Sequence, residues 1–321
     1  MSKSALLKSS LAKKYWMAAT GLFLCLFLVG HLLGNLQLIF KAGEEGRRAF
    51  NEYAYFMAHN PLIKVMSWIT YISILFHAID GILLTIENKK ARPVNYAYSN
   101  PKANSRWESR NMALLGSLVL IFIASHMAHF WYKAKVKSDM KLHTVSKIEE
   151  KMIGQDPMSG QPITDQFRTT YVLTTKGNYE LVSTFYIKEG KYIDMNSGSF
   201  ATDSLSAAPF SVKDHTKLVN KNDLQVAEGY KDLHSVVVAF FTGKKTNGVE
   251  GNSLAIAAVI FYVISMIVLS YHLLHGFASA FQSLGLRHPK YTNLIAIAGK
   301  VFAFVIPFAF AIIPVLLYIN R

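Results

Sequence analysis

The stretch LLGSLVLIFIASHMAHFW, residues 114–131, runs for eighteen positions without a formally charged side chain. As a helix rising 1.5 Å per residue it covers about 27 Å, close to the ~30 Å hydrocarbon core of a bilayer. Two imidazoles, His126 and His129, stand three positions apart near its end. A second stretch, SYHLLHGF at 270–277, repeats the pattern with His272 and His275. Imidazole is rare in hydrocarbon, where each polar group needs an internal partner, so these pairs mark the places where chemistry is expected.

Working outward, five segments are long enough to span: 14–40, 61–87, 110–132, 253–283 and 292–319. The last contains Pro307 and Pro314, tolerable in a membrane helix. Just over half of the 321 residues are apolar, yet the formal charge is +14. The basic residues bracket apolar runs, which excludes a nucleic-acid-binding surface and fits a membrane protein with basic flanks. The one cysteine, Cys25, rules out an intramolecular disulfide. Lys3, Lys8, Lys13 and Lys14 precede the first span as in a signal peptide, but its apolar run is too long and lacks a small-x-small site. It is expected to be retained.

Positive charge in short loops sets the orientation. The N-terminus is basic, and so is the second loop, with Lys89, Lys90, Arg92, Lys102, Arg106 and Arg110. Arg287 and Lys290 mark the fourth. The N-terminus is therefore expected in the cytoplasm, with the C-terminus and residues 134–252 outside it. Within that long connection TTYVLTTKGNYELVSTFYIKEGKYIDM, 169–195, alternates apolar and polar residues between KGN and EGK turn signals and reads as short β-hairpins. Its His143, His215 and His234 are too far apart to suggest a site. The expected architecture is an all-α membrane protein of five transmembrane helices, the first four forming a bundle that carries the histidines. Spans one to three occupy 1–133, a small β-rich extracytoplasmic insertion 134–252, and spans four and five 253–321.

Helix direction assigns depth. His31 lies 17 residues beyond Lys14 on an outward helix, about 25 Å up, and His126 lies 16 residues beyond Arg110 on another. His77 and His272 come late on inward helices. The four form an outer pair, His31 and His126, and an inner pair, His77 and His272. Gly21 precedes His31 by ten residues and Gly116 precedes His126 by ten, so each glycine falls near the depth of the inner pair. HAIDG and HLLHG place Gly81 and Gly276 four residues after His77 and His272. Glycine there leaves room for a flat macrocycle, though lone glycines also serve close helix contacts. Two imidazoles from facing helices hold haem edge-on in helical bundles, filling both axial positions and leaving electron transfer as the function. The other reading is that the histidines bond neighbouring helices or relay protons.

These stretches together resemble the cytochrome b membrane-anchor subunit of succinate:quinone oxidoreductases (succinate dehydrogenase and fumarate reductase), in its single-subunit, five-helix, di-haem b558 type from Bacteroidetes-like bacteria. The likeness is carried by WMAATGLFLCLFLVGHLLGN, AFNEYAYFMAHNPL with LFHAIDG, LLGSLVLIFIASHMAHFW and YHLLHGFASAFQSLGL, and covers roughly 1–133 and 233–321. It implies two haem b groups, with iron ligands His77 and His272 for the inner and His31 and His126 for the outer. It also implies flavoprotein and iron–sulfur subunits docked on the cytoplasmic face of a bacterial inner membrane. Electrons would pass through the inner and then the outer haem to a quinone, menaquinone by the same resemblance. No dicarboxylate site is expected in this chain, and membrane lipids are its other partners.

Some positions depart from the pattern. Ser270 stands where some fumarate reductases carry a carboxylate, and Ser283 where some relatives carry a propionate-binding lysine. For the acidic residue near the quinone, Glu44, Glu45, Glu52 and the non-acidic His59 all remain candidates. Asp80 and His275, each three residues past an inner ligand, are open to facing one another. Depth alone slightly favours His275 over His272; the repeated H-x-x-x-G and the resemblance favour His272. His129 reads as interfacial. A transporter or proton-relay protein without haem is the alternative function.

Overall fold

The computed structural model describes residues 10–41, 43–91, 105–136, 145–173, 179–188, 191–194, 202–203, 210–213, 217–220, 225–228 and 230–320, with the single positions 94, 100, 103, 140 and 223. Lys3, Lys8, Arg92, Lys102, His143, His215 and the KGN turn signal lie outside the described residues. The chain divides into two compact units. One comprises Met1–Phe40, Phe56–Ala128 and Ile256–Arg321; the other Lys41–Tyr55 and His129–Ala255.

The first unit is helical. It contains α1 (Ser10–Phe40), the end of α2 (Gly43–His59), α3 (Pro61–Lys90), α4 (Trp107–Arg110), α5 (Met112–His126), α8 (Ala255–Ser283) and α9 (Thr292–Ile319). Among the described residues, five stretches are long and apolar enough to cross a membrane: Leu11–Phe40, Pro61–Lys90, Met112–Lys135, Ala255–Ser283 and Thr292–Ile319. They begin and end within a few residues of the segments read from the sequence. Leu26, Leu33, Trp68, Leu75 and Phe308 are each more than half exposed, which is unfavourable in water and natural against lipid. The hydroxyls within the spans return to their own helices, Ser67 to the Ile63 carbonyl at 2.8 Å, Ser117 to Ala113 at 2.9 Å and Ser265 to Phe261 at 2.7 Å.

Local chemistry sets the helix ends. The Asn60 side chain accepts from the Leu62 and Ile63 amides, and Pro61 takes the first helical position of α3, where its missing N–H is no loss. Lys89 and Lys90 close that helix, at the end where the dipole favours cations. The core joins α1, α8 and α9 through Cys25, Met266, Leu269, Leu273 and Ala303, with Val119 and Phe122 of α5 packed against it. At Gly299 of α9 a side chain would start 2.8 Å from the Phe277 ring, so glycine is what lets α8 and α9 meet there.

After His126 the chain makes one wider, π-type turn, Met127–Trp131, and then resumes as α6 (Tyr132–Lys135). Such a turn takes an extra residue into the helix and changes the direction of the side chains that follow.

The second unit contains an antiparallel meander of β1 (Val145–Gln155), β2 (Pro162–Leu173), β3 (Tyr179–Lys188) and β4 (Lys191–Asp194), with β5 (Thr202–Asp203) also pairing β3. A three-stranded meander follows: β6 (Phe210–Lys213), β7 (Lys217–Asn220) and β8 (Gln225–Glu228). The turn after β1 is held by the Asp156 carboxylate, which accepts from the Met158 amide at 2.8 Å.

The same unit contains most of α2 and all of α7 (Leu233–Thr242), joined by a buried ion pair. Asp232 is fully buried and Arg47 is 3% exposed. Arg47 donates to Asp232 Oδ2 through Nε at 3.0 Å and Nη2 at 2.7 Å, and Asn51 donates to Oδ1 at 2.9 Å. Asp232 Oδ1 also accepts the Ser235 amide and caps α7, while Asn51 Oδ1 accepts the His234 amide. Gly243 ends α7 at φ 72°, a left-handed conformation suited to glycine.

Burial alone would raise the Asp232 carboxyl, but the Arg47 guanidinium, with Ser235 and Asn51, holds it below the usual carboxylate range. Its contribution to stability is therefore complete above the unfolded value of about 4 and is lost as the pH falls through the lower folded value. Asp232→Ala leaves Arg47 buried without its counter-charge and is expected to destabilise the second unit by about 3–5 kcal/mol. Denaturation of the detergent-solubilised chain measures this, and a loss under about 1 kcal/mol contradicts it.

Candidate functional site

Helix geometry brings the four axial candidates together in twos. His31 of α1 and His126 at the end of α5 have ring centroids 5.7 Å apart, with planes at 90°. His77 of α3 and His272 of α8 have centroids 6.1 Å apart, at 64°. All four rings are half-buried. Gly21 faces His77, and the ten residues from Gly21 to His31 put the two pairs about 15 Å apart along α1.

The glycines serve close approach to these rings. A Cβ on Gly21 would stand 3.2 Å from His77 Cε1, and one on Gly116 would stand 3.5 Å from His272 Cε1. Gly81 and Gly276 admit methionines: a Cβ there would meet the methyl carbons of Met17 at 3.6 Å and Met112 at 3.7 Å. These contacts obey one rule. Met17, Gly21 and His31 recur 95 positions later as Met112, Gly116 and His126; His77 and Gly81 recur 195 positions later as His272 and Gly276. The glycine contacts between α1 and α3 thus have counterparts between α5 and α8, although the α1 and α3 backbones approach each other far more closely. Gly21 and Gly116 each stand directly against an imidazole of the inner pair.

The repeat extends to the charged residues. Lys13 lies in electrostatic range of Asp80, and Glu108, 95 positions after Lys13, lies in range of His275, 195 positions after Asp80. Asp80 and His275 therefore do not form a pair with each other: each interacts with a charge from the helix beside its own half. The Ser279 hydroxyl is 3.3 Å from His275 Nε2. Matching depths suggested an Asp80–His275 contact, but depth fixes height along a helix and leaves the direction round its axis open.

Hydrogen bonds behind the rings bear on what the other nitrogens can do. The Thr20 hydroxyl donates to the Trp16 carbonyl at 2.7 Å, so towards His77 Nδ1, 3.3 Å away, it is an acceptor. With that hydroxyl as acceptor, the matching tautomer carries its proton on Nδ1 and has its lone pair on Nε2. His126 Nδ1 stands 3.4 Å from the Tyr262 hydroxyl. Tyr262 was missed in the sequence, although a signal existed: it precedes His272 by ten residues on an inward helix, which puts it at the depth of His126.

The rings suit axial ligation. A metal bound by two imidazole nitrogens at about 2 Å each holds the ring centres about 6 Å apart, and both pairs meet that separation. Rotation about the axis is free, so 90° and 64° are equally compatible. Among the described residues no three His, Cys, Asp or Glu side chains cluster as a metal site, so what the geometry offers is pairs of imidazoles. Each pair would hold an iron between its two imidazoles, and haem bound there would supply one-electron chemistry.

The neighbouring histidine takes another direction. His129 falls within the π-type turn, in the second unit, where its ring packs on Phe240 at 4.6 Å and its Nδ1 is buried without a hydrogen-bond partner. Of the quinone candidates, Glu45 and His59 are exposed and Glu52 pairs with Arg48 at 2.7 Å; the Glu44 side chain lies outside the described residues.

Gly21→Val and Gly116→Val push against imidazole rings and are expected to destabilise the first unit by about 1–3 kcal/mol each. Gly30→Val, on the same helix as Gly21 with nothing within 4 Å of its Cβ, serves as the control. Melting of the three variants in detergent checks this, and equal losses at Gly21 and Gly30 contradict it. Comparison with protein-family models, with curated proteins and with solved structures finds no match.

Proposed function

We propose that this chain is the di-haem cytochrome b membrane anchor of a succinate:quinone oxidoreductase of the five-helix b558 type. In this reading it takes electrons from flavoprotein and iron–sulfur subunits on the cytoplasmic side of a bacterial inner membrane and delivers them to a membrane quinone, menaquinone by resemblance. His77 and His272 hold the inner haem b, and His31 and His126 the outer. The observation that carries the reading is the two imidazole pairs, each with ring centres about 6 Å apart, on four spans whose glycine contacts repeat. Bound haem would supply reversible one-electron chemistry at an iron with no open position.

The chain's own residues do the rest. Thr20 fixes the tautomer of His77, and Gly21 and Gly116 let α1 and α5 close on the rings of α3 and α8. The apolar spans keep water away from the pairs and set them about 15 Å apart along the membrane normal. Residues 134–252 are extracytoplasmic in this reading.

A reduced-minus-oxidised optical spectrum of the purified chain distinguishes this from a transporter or proton relay, since lack of a b-type α-band would exclude the di-haem reading. Within it, His126→Ala is expected to lose the outer haem while His129→Ala retains both. His272→Ala is expected to lose the inner haem and His275→Ala to keep it. Haem quantification of the four variants reads this out, and two haems in His126→Ala refute the assignment.

A further inference from the structure

The repeat that places the four rings is broken at the hydrogen bonds behind them. Thr20 stands behind His77, but the equivalent position behind His272 is Leu115, and His272 Nδ1 is buried without a hydrogen-bond partner. Tyr262 stands behind His126, but its equivalent 195 positions earlier is Ser67, whose hydroxyl is bonded to the Ile63 carbonyl. The two halves share ligands and glycines and differ in what lies beyond the ligands.

Resting on the di-haem reading, we infer that Tyr262 is a positioning residue that lowers the reduction potential of the outer centre by accepting a hydrogen bond from His126 Nδ1–H. Its ring is buried, at 7% exposure, and lies against Phe122 at 5.1 Å and Phe261 at 5.9 Å. Phe122 also touches His126, at 5.7 Å. Packing thus aims the hydroxyl at Nδ1, 3.4 Å away. An acceptor on the outer nitrogen of a ligating imidazole fixes the ring and raises its basicity, which favours the oxidised iron. His272 has no such acceptor, so the two centres are tuned by different means despite their like ligands.

The test is a potentiometric measurement on the purified full chain, with optical and electron-spin readouts resolving the two haems. Tyr262→Phe keeps the ring and removes the hydroxyl. It is expected to retain both haems and to shift the outer oxidised-to-reduced ratio about tenfold towards reduction, about 59 mV upward for one electron, leaving the inner midpoint in place. Leu115→Thr puts a hydroxyl behind His272 and is expected to lower the inner midpoint. The inference stands if both shifts have these signs. An unmoved outer midpoint, an equal shift at both centres, loss of the outer haem in Tyr262→Phe, or an inner midpoint that fails to fall in Leu115→Thr overturns it while the di-haem reading stands. A wild-type chain with no haem overturns both.

Discussion

Hydrocarbon offers no hydrogen bonds, so every polar atom carried into the spans has to be satisfied by the protein itself or by something the protein holds. Serine and threonine meet this demand locally, by returning their hydroxyls to a carbonyl one turn back. Imidazole cannot, because its two nitrogens point in different directions and differ in what they need. His77 illustrates this: the Thr20 hydroxyl stands by one nitrogen only. The spans carry two imidazole pairs with ring centres about 6 Å apart, and these are where that demand falls hardest.

The repeated contact between spans supplies the precision. An imidazole against a glycine and a methionine against a second glycine constrain how two helices meet, and the same pair of contacts occurs twice at constant sequence offsets. A single small-residue contact would constrain them less. The π-type turn then ends the regular part of the third span directly after His126, so that His129 joins the aromatic packing of Phe130 and Phe240.

Much of this was legible in the sequence because it is local or periodic. Span length and hydropathy are properties of contiguous residues, and ten-residue spacings become depths once a helix is assumed. What was not legible is azimuthal or distant. Asp80 and His275 share a depth and face different neighbours. The extra residue at Met127–Trp131 has no compositional mark. Arg47 and Asp232 are 185 positions apart, and each looks like an ordinary surface charge until the fold buries them together. Which side chain a glycine faces also depends on the neighbouring helix, which spacing alone does not specify.

The two equivalent helix pairs are joined by connections of very different length: 20 residues separate α1 from α3, and 119 separate the end of α6 from α8. Chain entropy makes that difference cheap. Each doubling of a flexible closure adds only about 0.6 kcal/mol, so the longer connection would cost about 1.5 kcal/mol more even if it were entirely unstructured. The register of α5 against α8 is fixed by side-chain contacts inside the bundle, and so the length of the connection leaves it unaffected. This is a point in the chain where whole modules can be gained, lost or exchanged while the geometry of the imidazoles stays the same.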